Sequence, residues 1–173
     1  LNKSEEAKYD LKAKKVVVKR FYHAGVSWQT YADGVRTLGK EVDGYLTDLL
    51  EEREDAEKKV GDGGGWPKLQ GDWAKFIKCV VESGAEIERL GFDPEEGVKK
   101  LKGFSGGAAS GGLSISVLAP ALKMKGGKPR VKSLGNPSQN TNGHSILLRL
   151  DYGKSRILLT GDLNKNAQHH LLE

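Results

Sequence analysis

The segment 140–163, with the sequence NTNGHSILLRLDYGKSRILLTGDL, constrains the fold more than any other part of the chain. Its apolar pattern predicts two strands, 145–151 and 155–160, joined by a tight turn at Tyr152-Gly153-Lys154. A helix is predicted directly afterwards, over 164–172. Asp162 therefore lies where a strand ends and a helix begins, a position from which a carboxylate can reach into a cleft.

Three motifs together resemble the metallo-β-lactamase superfamily, and within it the hydrolase domain of competence DNA-internalisation proteins. They are Ile-Ser-Val-Leu-Ala-Pro at 115–120, Asn-Gly-His-Ser at 142–145 and Leu-Leu-Thr-Gly-Asp at 158–162. The resemblance is specific over about 113–172, weaker over 15–31 and absent between. It implies an α+β fold, the αββα sandwich, covered incompletely by this chain.

The resemblance also implies a metal centre. In the superfamily, the aspartate of the last motif bridges two zinc ions that activate a water for hydrolysis, so Asp162 takes the catalytic and metal-binding role. Its spacing alone favours an N-cap of the following helix, and the Thr-Gly-Asp motif after the hairpin shifts the preference to the metal role. His144 matches a metal-binding histidine more loosely, because the usual spacing to the strand is longer. The alternatives are that His144 orients a ligand or holds the Asn-Gly turn through a backbone hydrogen bond.

Three further residues are candidates for substrate binding. Asn140 and Asn142 lie in the polar segment before the hairpin, where turn chemistry is the simpler interpretation. His23 follows a predicted strand, and the alternative is a structural histidine bonded to a loop carbonyl. The pair His169-His170 projects about 100° apart on a helix, which disfavours joint chelation of one ion.

One departure from the superfamily is large. Its H-x-H-x-D-H motif is missing, and the chain has four histidines in all. The chain begins at Leu1 and ends within a predicted helix, so we expect a fragment of a larger zinc hydrolase that acts on phosphoesters, including nucleic acid. The alternative is a non-catalytic relative that serves as a binding module. A nucleotide-binding loop at Gly153-Lys154-Ser155 is rejected, because it leads into a strand and lacks the preceding glycine.

The rest of the chain is predicted from periodicity as one partial domain, 1–173, with a helical insertion at 34–103. The predicted elements are helices at 1–13, 34–58, 72–90 and 91–103, strands at 15–22 and 113–119, and a basic loop at 121–139. Within the second long helix, Asp72 is the expected N-cap and Cys79 is expected to pack beside the apolar stripe. In the strand 113–119, one buried face is expected.

Composition limits the class of partner and the compartment. The net charge is +5, and much of the excess lies in two clusters. These clusters are Lys12, Lys14, Lys15, Lys19, Arg20 and Lys123, Lys125, Lys128, Arg130, Lys132. They predict either phosphate-bearing ligands or a solvated surface. A single cysteine favours a reducing, cytoplasmic compartment. No apolar run approaches the roughly 18 residues of a membrane span, so no membrane partner is expected.

Overall fold

The computed structural model describes residues 17–63, 65–106 and 111–172. Within these ranges the chain combines helices and sheets, which confirms the α+β composition. The helices are α1 (Arg53–Val60), α2 (Gly71–Glu82), α3 (Pro137–Gly143) and α4 (Lys165–Leu172). The strands are β1 (Arg20–His23), β2 (Gln29–Thr30), β3 (Arg36–Thr37), β4 (Glu41–Val42), β5 (Tyr45–Leu46), β6 (Lys68–Leu69), β7 (Glu86–Arg89), β8 (Lys99–Ser105), β9 (Ser114–Ala119), β10 (Lys123–Lys125), β11 (Lys128–Lys132), β12 (Leu147–Tyr152) and β13 (Ser155–Leu159).

Four sheets organise these strands. A parallel pair joins β1 to β7, and two four-stranded sheets have the orders β13-β12-β9-β8 and β10-β11-β5-β4. A small sheet, β3-β2-β6, completes the described set. The predicted strands 113–119, 145–151 and 155–160 are confirmed as the neighbours β9, β12 and β13, and the predicted helix 164–172 is confirmed as α4.

Strand β9 is buried on both faces, so the expectation of one buried face is wrong. Ser114 and Ser116 are as inaccessible as Val117 and Ala119 on the alternate positions. β9 is an inner strand, paired with β8 on one side and β12 on the other, and its Val117 packs in a cluster with Leu90 and Leu101. At the edge of the same sheet, β13 is exposed throughout. Its Ile157, Leu158 and Leu159 are each about half exposed.

The predicted helix 34–58 is wrong over most of its length, because 34–50 forms β3, β4 and β5 and only α1 is helical. Backbone conformation explains the error. Gly39 has φ of +127°, and Asp43-Gly44 has φ of +54° and +74° between paired strands. Val42 pairs with Tyr45, and Asp43-Gly44 forms the two-residue turn between them. An Asp-Gly pair is a stronger indication of a hairpin than the apolar period is of a helix. The region 34–103 is therefore a mixture of strands and helices.

Two other segments also form strands where none was expected. The predicted helix 91–103 is a turn, in which Asp93 accepts hydrogen bonds from the backbone of Glu95 and Gly97, followed by β8. The predicted loop 121–139 is the β10–β11 hairpin, turned by Gly126-Gly127 at φ of +61° and +72°, and the start of α3. Paired glycines at positive φ are typical of tight hairpins.

The second long helix is shorter than predicted. It ends at Glu82, because Gly84 turns the chain at φ of +77°, and the remainder forms β7. Its N-cap is Gln70 rather than Asp72, which pairs instead with Lys75. Cys79 is exposed, so its predicted packing is wrong. The predicted strand 15–22 is represented by β1, while residues 15 and 16 and the predicted helix 1–13 lie outside the described residues.

Three hydrophobic clusters hold the sheets together. The first contains residues from α1, α2, β6 and β7 together with Leu50, and Phe21 of β1 packs against it. The second joins β5 and β11 through Leu46 and Val131, and the third packs β9 against Leu90 and Leu101. No described helix is long and apolar enough to span a membrane.

We predict that Gly39→Ala lowers the free energy of unfolding by about 3 kcal/mol. A Cβ there would meet the Thr47 carbonyl oxygen at 2.2 Å in a left-handed conformation. Gly44→Ala is the matched control, because it also has a positive φ but opens into free space. Urea denaturation should show a loss of only about 1 kcal/mol for this control. Equal losses would contradict the close approach at Gly39.

Candidate functional site

Asp162 lies in the turn that follows β13, immediately before α4. Its backbone N–H donates to Ser145 Oγ at 3.2 Å, which fixes the turn against the start of the hairpin. Gly161 has φ of +53°, and a Cβ there would lie 3.0 Å from Ser145 Cβ. The residue is exposed. Among the residues that the structure describes, none forms a hydrogen bond or ion pair with its carboxylate.

The cap of α4 is provided by Asn164 and not by Asp162. The Asn164 Oδ1 atom accepts the backbone N–H of Ala167 at 3.1 Å, which is the N-cap to N3 bond. Its Nδ2 donates to the Gln139 carbonyl at 2.7 Å and so ties α4 to α3. The alternative role of Asp162 as the helix cap is therefore wrong, and its carboxylate has no structural duty in this part of the fold.

His144 is buried, with 3% of its surface exposed, at the C-cap of α3. Its Nε2 donates to the Lys132 carbonyl at 2.9 Å. It borders a small cavity with His170, Pro120 and Leu134, and Asp162 does not line that cavity. This bond engages one ring nitrogen of His144, and the structure does not bring His144 and Asp162 into one cavity.

The two asparagines differ in their availability. Asn140 is buried, and its side chain accepts from the Leu134 N–H at 2.7 Å and donates to the Gly135 carbonyl at 2.9 Å. Both ends of its amide therefore hold the loop before α3. Asn142 is exposed on α3. Of the two, Asn142 has the side chain that is open to a ligand.

His23 lies at the end of β1 and is also buried. Its Nε2 donates to the Glu51 carbonyl at 2.9 Å, and its ring stacks on Phe21 with centroids 5.8 Å apart. This is the arrangement of a structural histidine bonded to a loop carbonyl. It joins β1 to the segment that leads into α1.

The described residues do not form a metal centre. Across 17–63, 65–106 and 111–172, no group of three or more histidine, cysteine, aspartate or glutamate side chains converges to hold an ion. Asp162 is one available carboxylate, and two zinc ions require several such ligands. The residues therefore fit a single zinc ligand and not a complete site.

A cleft of about 1230 Å³ lies elsewhere, between the segment 47–59, β7 and the start of β11. Arg89 borders it with a side chain that is 13% exposed, and its Nε pairs with Glu51 Oε2 at 2.7 Å. The Arg89 Nη1 atom is buried without a hydrogen-bond partner in the described structure. Gly25 makes room for this side chain, because a Cβ there would lie 2.5 Å from Arg89 Cδ.

Lys59 also lines the cleft, and its ammonium is bonded to neighbouring protein groups. Lys59 is 6% exposed, donates to the carbonyls of Asp48 and Leu49 at 3.0 and 2.9 Å, and pairs with Asp55 at 3.0 Å. Sequence reasoning missed this cleft, because its charged residues resemble a solvated helix end. The Asp43-Gly44 hairpin is the signal that would have shown that the helix begins only after residue 50.

Comparisons with models of protein families, with curated proteins and with solved structures find no match to this chain.

We predict that Asn164→Ala lowers the free energy of unfolding by about 1 kcal/mol through loss of the α4 cap. Asp162→Ala should change it by less than about 0.5 kcal/mol, because an exposed side chain without partners contributes little. Chemical denaturation of both variants beside the native chain tests this. A larger loss for Asp162→Ala than for Asn164→Ala would assign the structural role to Asp162.

We predict that the free energy of unfolding decreases as the pH is lowered below about 6.5. The pKa values of His23 and His144 are each lowered to about 4, chiefly because burial disfavours the charged imidazolium. Between these values and the ordinary 6.5, the unfolded chain binds more protons than the folded chain. Stability is therefore fully present above pH 6.5 and is lost as the pH falls toward 4.

The loss between pH 7.5 and pH 5 should be about 2 kcal/mol per histidine. Urea titrations at the two pH values measure it, and His144→Gln should remove about half of the combined difference. A pH dependence that is unchanged in His144→Gln would contradict this assignment.

Proposed function

We propose that this chain is part of a zinc-dependent hydrolase of the metallo-β-lactamase type, in which Asp162 is a metal ligand. The supporting observation is the uncommitted carboxylate at the end of the β12–β13 hairpin. It is exposed, no described side chain pairs with it, and Asn164 has taken the capping role. A carboxylate held by its backbone at a strand end is available to a cation.

The proposal includes the αββα sandwich as the finer fold. It is supported by the order β13-β12-β9-β8, which brings the strands carrying the motifs at 115–120 and 158–162 into one sheet on either side of β12. A second sheet, the parallel β1–β7 pair, has α2 in its connection and in its hydrophobic cluster. Helix α4 follows Asp162 directly, as the resemblance implies.

A complete zinc centre requires ligands that the described residues do not supply. No catalytic step is therefore assigned to any side chain. The class of substrate, a phosphoester or nucleic acid, follows from the resemblance alone, since one fold supports many chemistries. The cytoplasmic location stays a prediction from the single cysteine.

A binding module without catalysis is the second candidate. It is favoured by the missing ligand cluster in the described ranges and by the position of the buried His144 at a cavity that Asp162 does not line. A relative that has lost its metals keeps the sheets, because those are held by apolar clusters and by strand pairing. Metal content separates the two candidates.

We predict that the protein expressed from its complete reading frame binds zinc and cleaves a phosphodiester, and that Asp162→Asn loses at least half of the zinc. The amide keeps the shape of the side chain but removes the charge that binds the metal. Zinc per chain is measured by mass spectrometry, and hydrolysis with bis(p-nitrophenyl) phosphate. Asp72→Asn is the matched control, since Asp72 is exposed and bonded only to Lys75.

Equal zinc and activity in native, Asp162→Asn and Asp72→Asn proteins would remove Asp162 from the metal centre. Native protein that is free of zinc and inactive would favour the binding module. Thermal unfolding of each variant shows whether a loss of metal is instead a loss of fold.

A further inference from the structure

The β10–β11 hairpin gathers cations on one side of its sheet. Lys123 lies opposite Arg130, and Lys125 lies opposite Lys128. Directly opposed residues project to the same side, and so do alternate residues along a strand. Lys132 therefore joins this side, which we call the basic face: Lys123, Lys125, Lys128, Arg130 and Lys132.

Directly opposed like charges destabilise a hairpin, and the chain compensates these only in part. Lys125 pairs with Asp43 at 2.9 Å, and Lys123 lies over the Tyr45 ring at 4.9 Å. The pKa of Asp43 is lowered, first by its hydrogen bond to Lys125 and also by the charges of Arg130 and Lys123. The single carboxylate of Asp43 thus interacts electrostatically with three cations of this face.

Lys128 and Arg130 have no carboxylate partner in the described structure. No ion pair engages either of them, and the Arg130 Nε atom is buried without a hydrogen-bond partner. Both residues border the cleft of about 1230 Å³. Two cations without ion pairs on one cleft wall attract an anionic ligand.

The opposite wall of the cleft holds most of its cations in ion pairs, and it also carries the exposed carboxylates of Glu52 and Glu54. Arg89 pairs with Glu51, Lys59 with Asp55, and Lys102 with Glu88 at 3.5 Å. Excess positive charge therefore lies on the side of the basic face.

The same cleft carries an aromatic surface. Trp66, which lines the cleft, is 54% exposed. An exposed indole is a stacking surface for a base, and such stacking tolerates any sequence.

We propose that the basic face binds the phosphate backbone of a single-stranded nucleic acid, which enters the cleft past Lys128 and Arg130 toward Trp66. Alternate strand residues repeat every ~6.7 Å, so the face offers successive cations along an extended chain. A lipid surface is flat and reaches the outer cations without entering the cleft, which leaves the cleft residues Arg130 and Trp66 without a ligand contact.

This inference goes beyond the proposed function and does not depend on it. Asp162 does not line the cleft. Binding is measured in EDTA, so failure of the zinc proposal and failure of this one are separate results.

The test is fluorescence anisotropy of a labelled oligothymidylate at several salt concentrations. The test variant is Lys123→Gln/Lys128→Gln, in which both side chains are exposed and the fold is expected to persist. We expect roughly tenfold weaker binding at low salt, and a slope of log affinity against log salt that is smaller by about 1.4. The matched control, Lys75→Gln/Lys99→Gln, removes the same charge from exposed sites elsewhere and should leave affinity within twofold.

Equal weakening in both double variants would reduce the effect to net charge and overturn the proposal. No binding by the native chain would overturn it also. Binding to phosphatidylserine vesicles without binding to the oligonucleotide would replace it with a membrane surface. Lys125→Gln, also at an exposed position, provides a second variant with an expected slope change of about 0.7.

Discussion

Two cations of helix α1, the buried Lys59 and the partly exposed Arg53, tie this helix to neighbouring segments beside the first hydrophobic cluster. Lys59 bonds the carbonyls of Asp48, which has a φ of +59°, and of Leu49, and neither residue lies in a described strand. Arg53 donates to the carbonyls of Val81 and Ala85 at 2.8 and 2.9 Å, where α2 ends and β7 begins. Each cation thus satisfies backbone carbonyls at the ends of short elements.

The same cations define the cleft, because the loops that they fix are its walls. A buried charge is costly unless it is paired. Removing Asp55 would therefore leave the buried Lys59 ammonium without its ion pair, at the full cost of desolvation. The cleft is therefore a fixed feature and not a gap between loose loops. The hairpin end at Asp162 is fixed in a different way, by strand register and by Ser145.

Sequence reasoning succeeded where the pattern and the backbone agree. The β12–β13 hairpin and α4 have strand alternation, a glycine turn and a polar helix start that all favour the same structure. It failed at 34–50, where apolar residues recur at helical spacing by coincidence and Val35 and Val42 are exposed. There the left-handed turns at Gly39 and Gly44 decide the conformation, and hydrophobic period carries no information about them.

The site was predictable only in part. Motif and position identify Asp162, but the role of Asn164 as the cap depends on which residue starts α4, and helix boundaries are weakly encoded. The environment of His144 depends on its approach to Lys132, twelve residues away. The pairing of Arg89 with Glu51 joins two elements that sequence reasoning had placed in separate helices.

The exposed strand β13 has a consequence for the behaviour of this chain in solution. It pairs with β12 on one side and with no other described strand, so its second row of amide and carbonyl groups faces outward beside Ile157, Leu158 and Leu159. Such an edge is a template for strand addition and aggregation. Arg156 places a charge with 81% exposure within this strand, paired with Asp151 at 3.2 Å, and a charge in such a position opposes the addition of a further strand.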